Sequence, residues 1–199
     1  MIILCSNGLS SDAVTAAVKP YLVNAHSSLI VVTADNEYKA DNYHIPRCQS
    51  ELEKMGLSVD TFDIDTDDID EMLEYDVVEF IGGNPFYLLN SIRQHHAESV
   101  IRQIAEQKVL IGWSAAAFVF GPTLELVNEY SPELNTCGLE DLSAMGLSSI
   151  EVLPHYSRFI NRFEQFEERC KAYELRNHKK VIRLNDGDAI IIVNDEVSF

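Results

Sequence analysis

Short apolar runs recur along this chain, and segments of helical period separate them. Ile2–Cys5, Ser28–Thr33, Ser58–Ile64, Val77–Ile81 and Val109–Trp113 read as strands, several of them rich in β-branched residues. Most are close to continuously apolar, the signature of strands covered on both faces in a parallel sheet. Between them the sequence predicts a helix from Ser11 or Asp12 through Tyr21, a second over Asp41–Met55 ended by Gly56, and a short one over Ile69–Tyr75. A longer helix over Phe86–Gln107 carries a break near His95-His96. The expected fold class is therefore α/β, built from right-handed βαβ units. Ligands in such sheets bind beyond the carboxyl ends of the strands. Ser6-Asn7-Gly8, Gly82-Gly83-Asn84 and Trp113-Ser114 all lie at such ends and are expected to share one crevice.

The pattern changes after Ser114. A short helix is expected through Val119, then a polar loop from Glu125 to Asp141, and a strand over Ser149–Leu153 leading to Pro154-His155. Ser157–Arg176 reads as one long charged helix. Val181–Leu184 and Ala189–Val193, joined by Asn185-Asp186-Gly187-Asp188, read as a terminal hairpin. No internal repeat or linker interrupts the chain, and residues 1–199 are expected to form one domain.

Charge narrows the partners. With 15 Lys and Arg against 32 Asp and Glu, the formal net charge is −17. Nucleic acid and anionic membrane surfaces are disfavoured, because both require clustered cations. An acidic enzyme that accepts an acidic substrate still needs a local cation in its site. Cys5, Cys48, Cys137 and Cys170 are scattered without a C-x-x-C, which fits neither a zinc ribbon nor a disulfide framework. The N-terminal apolar run is too short for a signal peptide, so a cytoplasmic protein with reduced thiols is expected.

The chemistry concentrates around Gly112-Trp113-Ser114-Ala115-Ala116. A buried strand ending in a small-residue turn and running into a helix is how α/β hydrolases expose a nucleophilic serine. Ala116 stands where G-x-S-x-G has its last glycine, a position that must stay small for helix and strand to approach. The plainer reading of Ser114 is a helix cap. A nucleophilic serine needs a base, and His155, fixed behind Pro154 at a strand end, is the best placed of the six histidines. The orienting acid has many candidates between the two, including Glu125, Glu129, Glu133, Glu140 and Asp141. Gly82-Gly83 offers backbone N–H groups for an oxyanion, while Asn84 caps the next helix with Pro85 at its first position. Asp63, Asp65, Asp67 and Glu74 have the spacing of a calcium loop, but Asp68 occupies its glycine position, and a strand end followed by an acidic helix start explains them better. Arg158 and Arg162 follow His155 closely enough to grip a substrate carboxylate.

Gly82-Gly83-Asn84, Gly112-Trp113-Ser114-Ala115-Ala116-Ala117, Pro122-Thr123 and Pro154-His155-Tyr156 together resemble the dipeptidase E family, the aspartyl dipeptidases related to cyanophycinase. The resemblance implies a three-layer α/β sandwich with a mostly parallel central sheet, similar to the class I glutamine amidotransferases. It implies a serine peptidase with Ser114 as nucleophile, His155 as base and, by alignment through Pro122-Thr123, Glu129 as the acid. The oxyanion hole would be the N–H groups of Gly83 and Ala115, with Gly82 and Asn84 beside the substrate. By similarity the substrate is a dipeptide with an N-terminal aspartate, held by Arg162 or Arg158. Neither metal nor cofactor is implied, and the molecule is expected to be a monomer or homodimer. Two departures stand out: Ala116 replaces a glycine and Pro85 a threonine. They keep two alternatives open, a cyanophycinase-like isopeptide or amide hydrolase, and a silent homologue that binds an acidic small molecule.

Overall fold

A computed structural model describes residues 1–193 and 196–198. Its centre is a seven-stranded sheet in the order β3-β2-β4-β5-β1-β8-β9. The strands are β1 (Ile2–Cys5), β2 (Ser27–Val31), β3 (Ser58–Phe62), β4 (Val77–Phe80), β5 (Val109–Trp113), β8 (Ala189–Val193) and β9 (Glu196–Ser198). The first five run parallel, as their apolar character predicts, whereas β8 pairs antiparallel with β1 and β9 antiparallel with β8. A second, two-stranded sheet joins β6 (Glu151–Leu153) and β7 (Val181–Arg183) in parallel.

Alternation along each strand divides the core in two. Ile2 and Leu4 join Val31, Val78, Phe80 and Leu110 on one face; Ile3 and Cys5 join Ile30, Val77 and Ile111 on the other. Helices α1 (Asp12–Val18) and α2 (Ile45–Glu53) cover the second face with Val14, Val18, Ile45, Cys48 and Leu52. The first face is covered by α3 (Pro85–Gln94), α4 (Glu98–Gln107), α5 (Ala115–Phe120), α6 (Glu125–Tyr130) and α8 (Phe166–Asn177). The architecture is therefore the expected three-layer α/β sandwich.

The local signals act as read. The Ser11 hydroxyl accepts from Val14 N–H and caps α1, which ends at Val18 and passes at Pro20 into a 3₁₀ turn over Lys19–Leu22 that contains Tyr21. Asn84 caps α3 with Pro85 behind it. The break near His95-His96 separates α3 from α4, with His96 at φ 55°.

Three expectations change. The polar loop after Glu125 opens with α6, whose Leu126, Val127 and Tyr130 are buried. The long charged helix is two, α7 (Tyr156–Arg162) and α8, divided where Gln165 turns left-handed at φ 49°. The terminal hairpin does not form, because β7 and β8 belong to different sheets. Ile190, Ile191 and Ile192 of β8 are all buried, so that strand must be covered on both faces and pairs with β1. The Asn185–Asp188 turn thus crosses between sheets, over the carboxyl end of β1.

Candidate active site

The peptide chain leaves β5 at Ser114 with φ 53° and ψ −110°, a conformation that L residues rarely adopt. The side chain makes no capping bond to α5, so the cap reading of Ser114 fails. Gly112 explains how the turn closes. A Cβ there would stand 2.5 Å from a Phe120 ring carbon and 3.3 Å from the Ala116 carbonyl carbon. Strand and helix touch at this point, and fully buried Ala116 fits the contact. The glycine missing from the motif has not opened the elbow.

Gly83 approaches from the next strand end. At φ 152°, a Cβ on it would lie 2.2 Å from the Ala34 carbonyl oxygen, so only glycine fits. Ala115 opens α5, and its N–H has no partner one turn back within the helix. Gly83, Ser114 and Ala115 line one cavity of about 140 Å³. Phe118, Tyr130, Phe159 and Phe163 supply aromatic walls, with Arg162 and Glu133 also lining it.

His155 comes to the same sheet edge through Ser6. The Ser114 N–H donates to the Cys5 carbonyl (3.2 Å), and the next residue, Ser6, is fully buried. The Ser6 hydroxyl accepts from His155 N–H (2.8 Å) and donates to Asp186 Oδ1 (3.0 Å). His155 itself sits at φ 56°, a left-handed conformation held by these contacts. Its Nδ1 meets Asp186 Oδ1 at 2.6 Å, and its ring stacks edge-on to Phe159, 5.8 Å away, which lines the Ser114 cavity. Burial opposes ionisation of Asp186, but the contacts with His155, Ser6 and Arg158 outweigh it and hold the carboxyl below its usual range. A carboxylate facing Nδ1 assigns the proton there and leaves Nε2 as the basic nitrogen. Burial lowers the His155 pKa, with Arg158 adding to the effect and Asp186 opposing it, so the imidazole stays neutral at pH 7.

The residues expected from the sequence separate accordingly. Gly83, Ser114 and Ala115 line one cavity, and His155 reaches the same sheet edge with its ring against Phe159 of the cavity wall. Glu129 does not: its carboxylate pairs with Arg176 and its carbonyl accepts from Arg169, because α6 turns that face toward α8. The acid beside His155 is Asp186, in the turn read as a hairpin. The docking of that turn on β1 is a long-range event with no local sequence signal. The two arginines also part. Arg158 is engaged by Asp186 Oδ2 at 2.5 Å, while Arg162 stacks on Phe163 at the cavity. Asn84 accepts from Phe86 and Tyr87 N–H and donates to the Leu134 carbonyl, and Gly82 packs on Trp113, so both face protein rather than the cavity. Asp63 and Asp65 hold Lys39 between them at 3.1 and 2.5 Å.

Comparison with known proteins finds peptidases among those this chain is similar to. An uncharacterized peptidase of Listeria monocytogenes is 26% identical over 160 residues, covering 78% of this chain and 77% of its own. Peptidase E of Shewanella denitrificans is 26% identical over 143 residues, 71% of this chain and 59% of the relative. A crystal structure provisionally described as a peptidase E protein from Listeria monocytogenes superposes with TM-score 0.77 at 22% identity, covering 99% of this chain and 96% of that one. A peptidase from an acI-B1 actinobacterium gives TM-score 0.66 at 15% identity, over 95% and 81% of the two chains. These two structures share the fold. The model of peptidase family S51 matches residues 2–199, nearly the whole sequence, and the chain belongs to that family of peptidases.

Proposed function

We propose that this protein is a serine peptidase of the dipeptidase E kind in which Ser114, His155 and Asp186 form the catalytic triad. The observation that supports the reading is that one sheet edge carries both an uncapped serine in a rare backbone conformation and a histidine oriented by a buried serine and a carboxylate. His155 Nε2 accepts the Ser114 hydroxyl proton as Oγ attacks the scissile carbonyl. The oxyanion that develops is received by the N–H groups of Gly83 and Ala115. His155 then returns the proton to the leaving amine. Water cleaves the acyl ester by the same route in reverse. Asp186 replaces Glu129 in the role of orienter.

The favoured substrate is a dipeptide with an N-terminal aspartate. Arg162, unlike Arg158, is free of carboxylate partners among the described residues and lines the Ser114 cavity. Glu133 lines the same cavity and supplies a charge for the substrate ammonium. Four unpaired cysteines, with Cys137 exposed, fit work in a reducing cytoplasm.

The test is hydrolysis of a panel of Asp-X, β-linked aspartyl and neutral dipeptides by the wild type and by Ser114→Ala, alongside labelling with a fluorophosphonate. Cleavage of Asp-X peptides, lost with labelling in the variant, is expected. Equal turnover by both proteins would sink the assignment, and a wild type inert to peptide and probe would identify a silent homologue.

A further inference from the structure

Directly beneath the candidate site lies a closed polar cluster that the reaction above does not use. Glu79 of β4 is fully buried in the middle of the sheet, in register with Ile30 and Ile111. Its side chain meets α2, which presents Arg47, Cys48 and Glu51, together with Cys5 of β1 and Trp113 of β5. Arg47 Nη1 is already committed to Glu51 Oε1 (2.7 Å) and to the Asn7 carbonyl (3.1 Å). Both Glu79 oxygens, Glu51 Oε2, Arg47 Nη2 and Trp113 Nε1 are buried without a hydrogen-bond partner; the indole N–H approaches the Glu79 carboxyl without closing a bond. One guanidinium serves two carboxyl groups. Its pairing with Glu51 leaves Glu79 no cation of its own, and an unpaired carboxylate at zero exposure is heavily disfavoured.

Trp113 connects this cluster to the chemistry. It immediately precedes Ser114, and its ring is packed so closely under Gly82 that a Cβ there would lie 2.6 Å from Cζ3. The Arg47 guanidinium lies 5.4 Å from the ring centroid, and the His44 ring meets it edge-on at 5.4 Å. The indole is thus the common support of the nucleophile and of the Gly82–Gly83 turn.

We propose that Glu79, held as the neutral acid, is a positioning residue that sets the Trp113 indole and through it Ser114 and the Gly82–Gly83 turn, so that its ionisation disarms the site. The peptidase arm of this inference rests on the function proposed above; the arm that follows Trp113 does not. Burial, reinforced by the Glu51 charge and opposed by Arg47 and the indole N–H, pushes the Glu79 carboxyl up to about 8. Above that pH a new charge appears against Glu51 with no room for solvent, and either Trp113 or Arg47 must move.

Trp113 is the only tryptophan in the chain, so its fluorescence reports this compartment alone. The experiment titrates that emission from acid to alkaline pH, excited where tyrosine does not absorb, in the wild type, Glu79→Gln and Glu51→Gln, and follows fluorophosphonate labelling of Ser114 in parallel. The wild type is expected to show one transition near pH 8. One pH unit above it, labelling should fall roughly tenfold, in proportion to the protonated fraction. Glu79→Gln should abolish the emission step and flatten the labelling profile. Glu51→Gln, which removes a charge that disfavours ionisation, should move the step to lower pH. A wild type with no emission step in this range, or a step that persists unchanged in Glu79→Gln, would overturn the proposal. An emission step without any labelling would leave the cluster standing and count against the peptidase reading instead.

Discussion

At the scale of single residues, the site turns on which carboxylate faces His155 Nδ1. Asp186 does so at 2.6 Å, and it shares Oδ1 with the buried Ser6 hydroxyl, so its direction is set from two sides. Glu129 is tied to Arg176, which is 57% exposed, and such a pair contributes at most about 1 kcal/mol to stability. The two acids therefore give opposite outcomes on substitution. Asp186→Asn removes the acceptor that fixes the imidazole tautomer, and kcat is expected to fall by about 10³- to 10⁴-fold with little change in KM. Glu129→Gln should leave kcat within about threefold of wild type, the equivalent of a surface pair. Steady-state kinetics on the same dipeptide separate them, and a larger loss in Glu129→Gln than in Asp186→Asn would refute the assignment. The strand-end placement of Ser114 and His155 was legible because a local pattern marks both positions. Asp186 was not: nothing near Asn185-Asp186-Gly187-Asp188 says which distant loop it docks against.

At the scale of elements, the same turn shows what local pattern misses. Two apolar segments with a four-residue Asn/Asp/Gly link satisfy every short-range criterion for a hairpin. The link is a real tight turn, with Asp188 N–H donating to the Asn185 carbonyl and Gly187 at φ 93°. Burial of β8 on both faces fits its place inside the larger sheet instead, between β1 and β9. The five parallel strands, by contrast, were legible because four are apolar nearly throughout, the edge strand β3 carries β-branched residues, and each is bounded by a turn or helix signal. Tertiary bonds hold the crossing turn in place: Ser6 N–H donates to the Asp188 carbonyl (3.1 Å) and the Ser11 hydroxyl to the Gly187 carbonyl (2.8 Å). Gly187→Ala would force a Cβ to within 3.3 Å of the Ser11 Cβ at a positive φ. The expected cost is about 1–3 kcal/mol of stability. Because the strain is adjacent to Asp186, kcat should fall as well, with KM kept. Chemical denaturation combined with kinetics checks this, and a variant that loses stability but keeps full kcat would show that the turn does not position the acid.

At the scale of the whole molecule, buried acids give the fold an alkaline weakness that its surface charge does not reveal. Glu79 keeps its proton in the folded chain up to about pH 8 but loses it in the unfolded chain near 4.5. Between those values the unfolded state binds fewer protons, so stability falls as pH rises, by at most about 1.4 kcal/mol per pH unit from this one residue. Cys5 and Cys48, whose thiols burial pushes well above their ordinary value of 9.0, extend the same trend to higher pH. His155 acts in the other direction. Its lowered pKa withdraws stability as pH falls below 6.5, so the raw profile of the wild type mixes opposing slopes. The comparison that isolates Glu79 is the difference between the wild type and Glu79→Gln between pH 5 and 8, where His155 contributes alike to both and the buried thiols keep their protons. Urea unfolding at pH 5, 6, 7 and 8 should show the variant gaining on the wild type at each step, with the gap levelling above about pH 8. The amide cannot ionise, and its shape matches the neutral acid, so its own packing cost is constant across the series. A gap that stays the same at all four pH values would mean that Glu79 is already ionised in the fold, with Arg47 shared between two carboxylates.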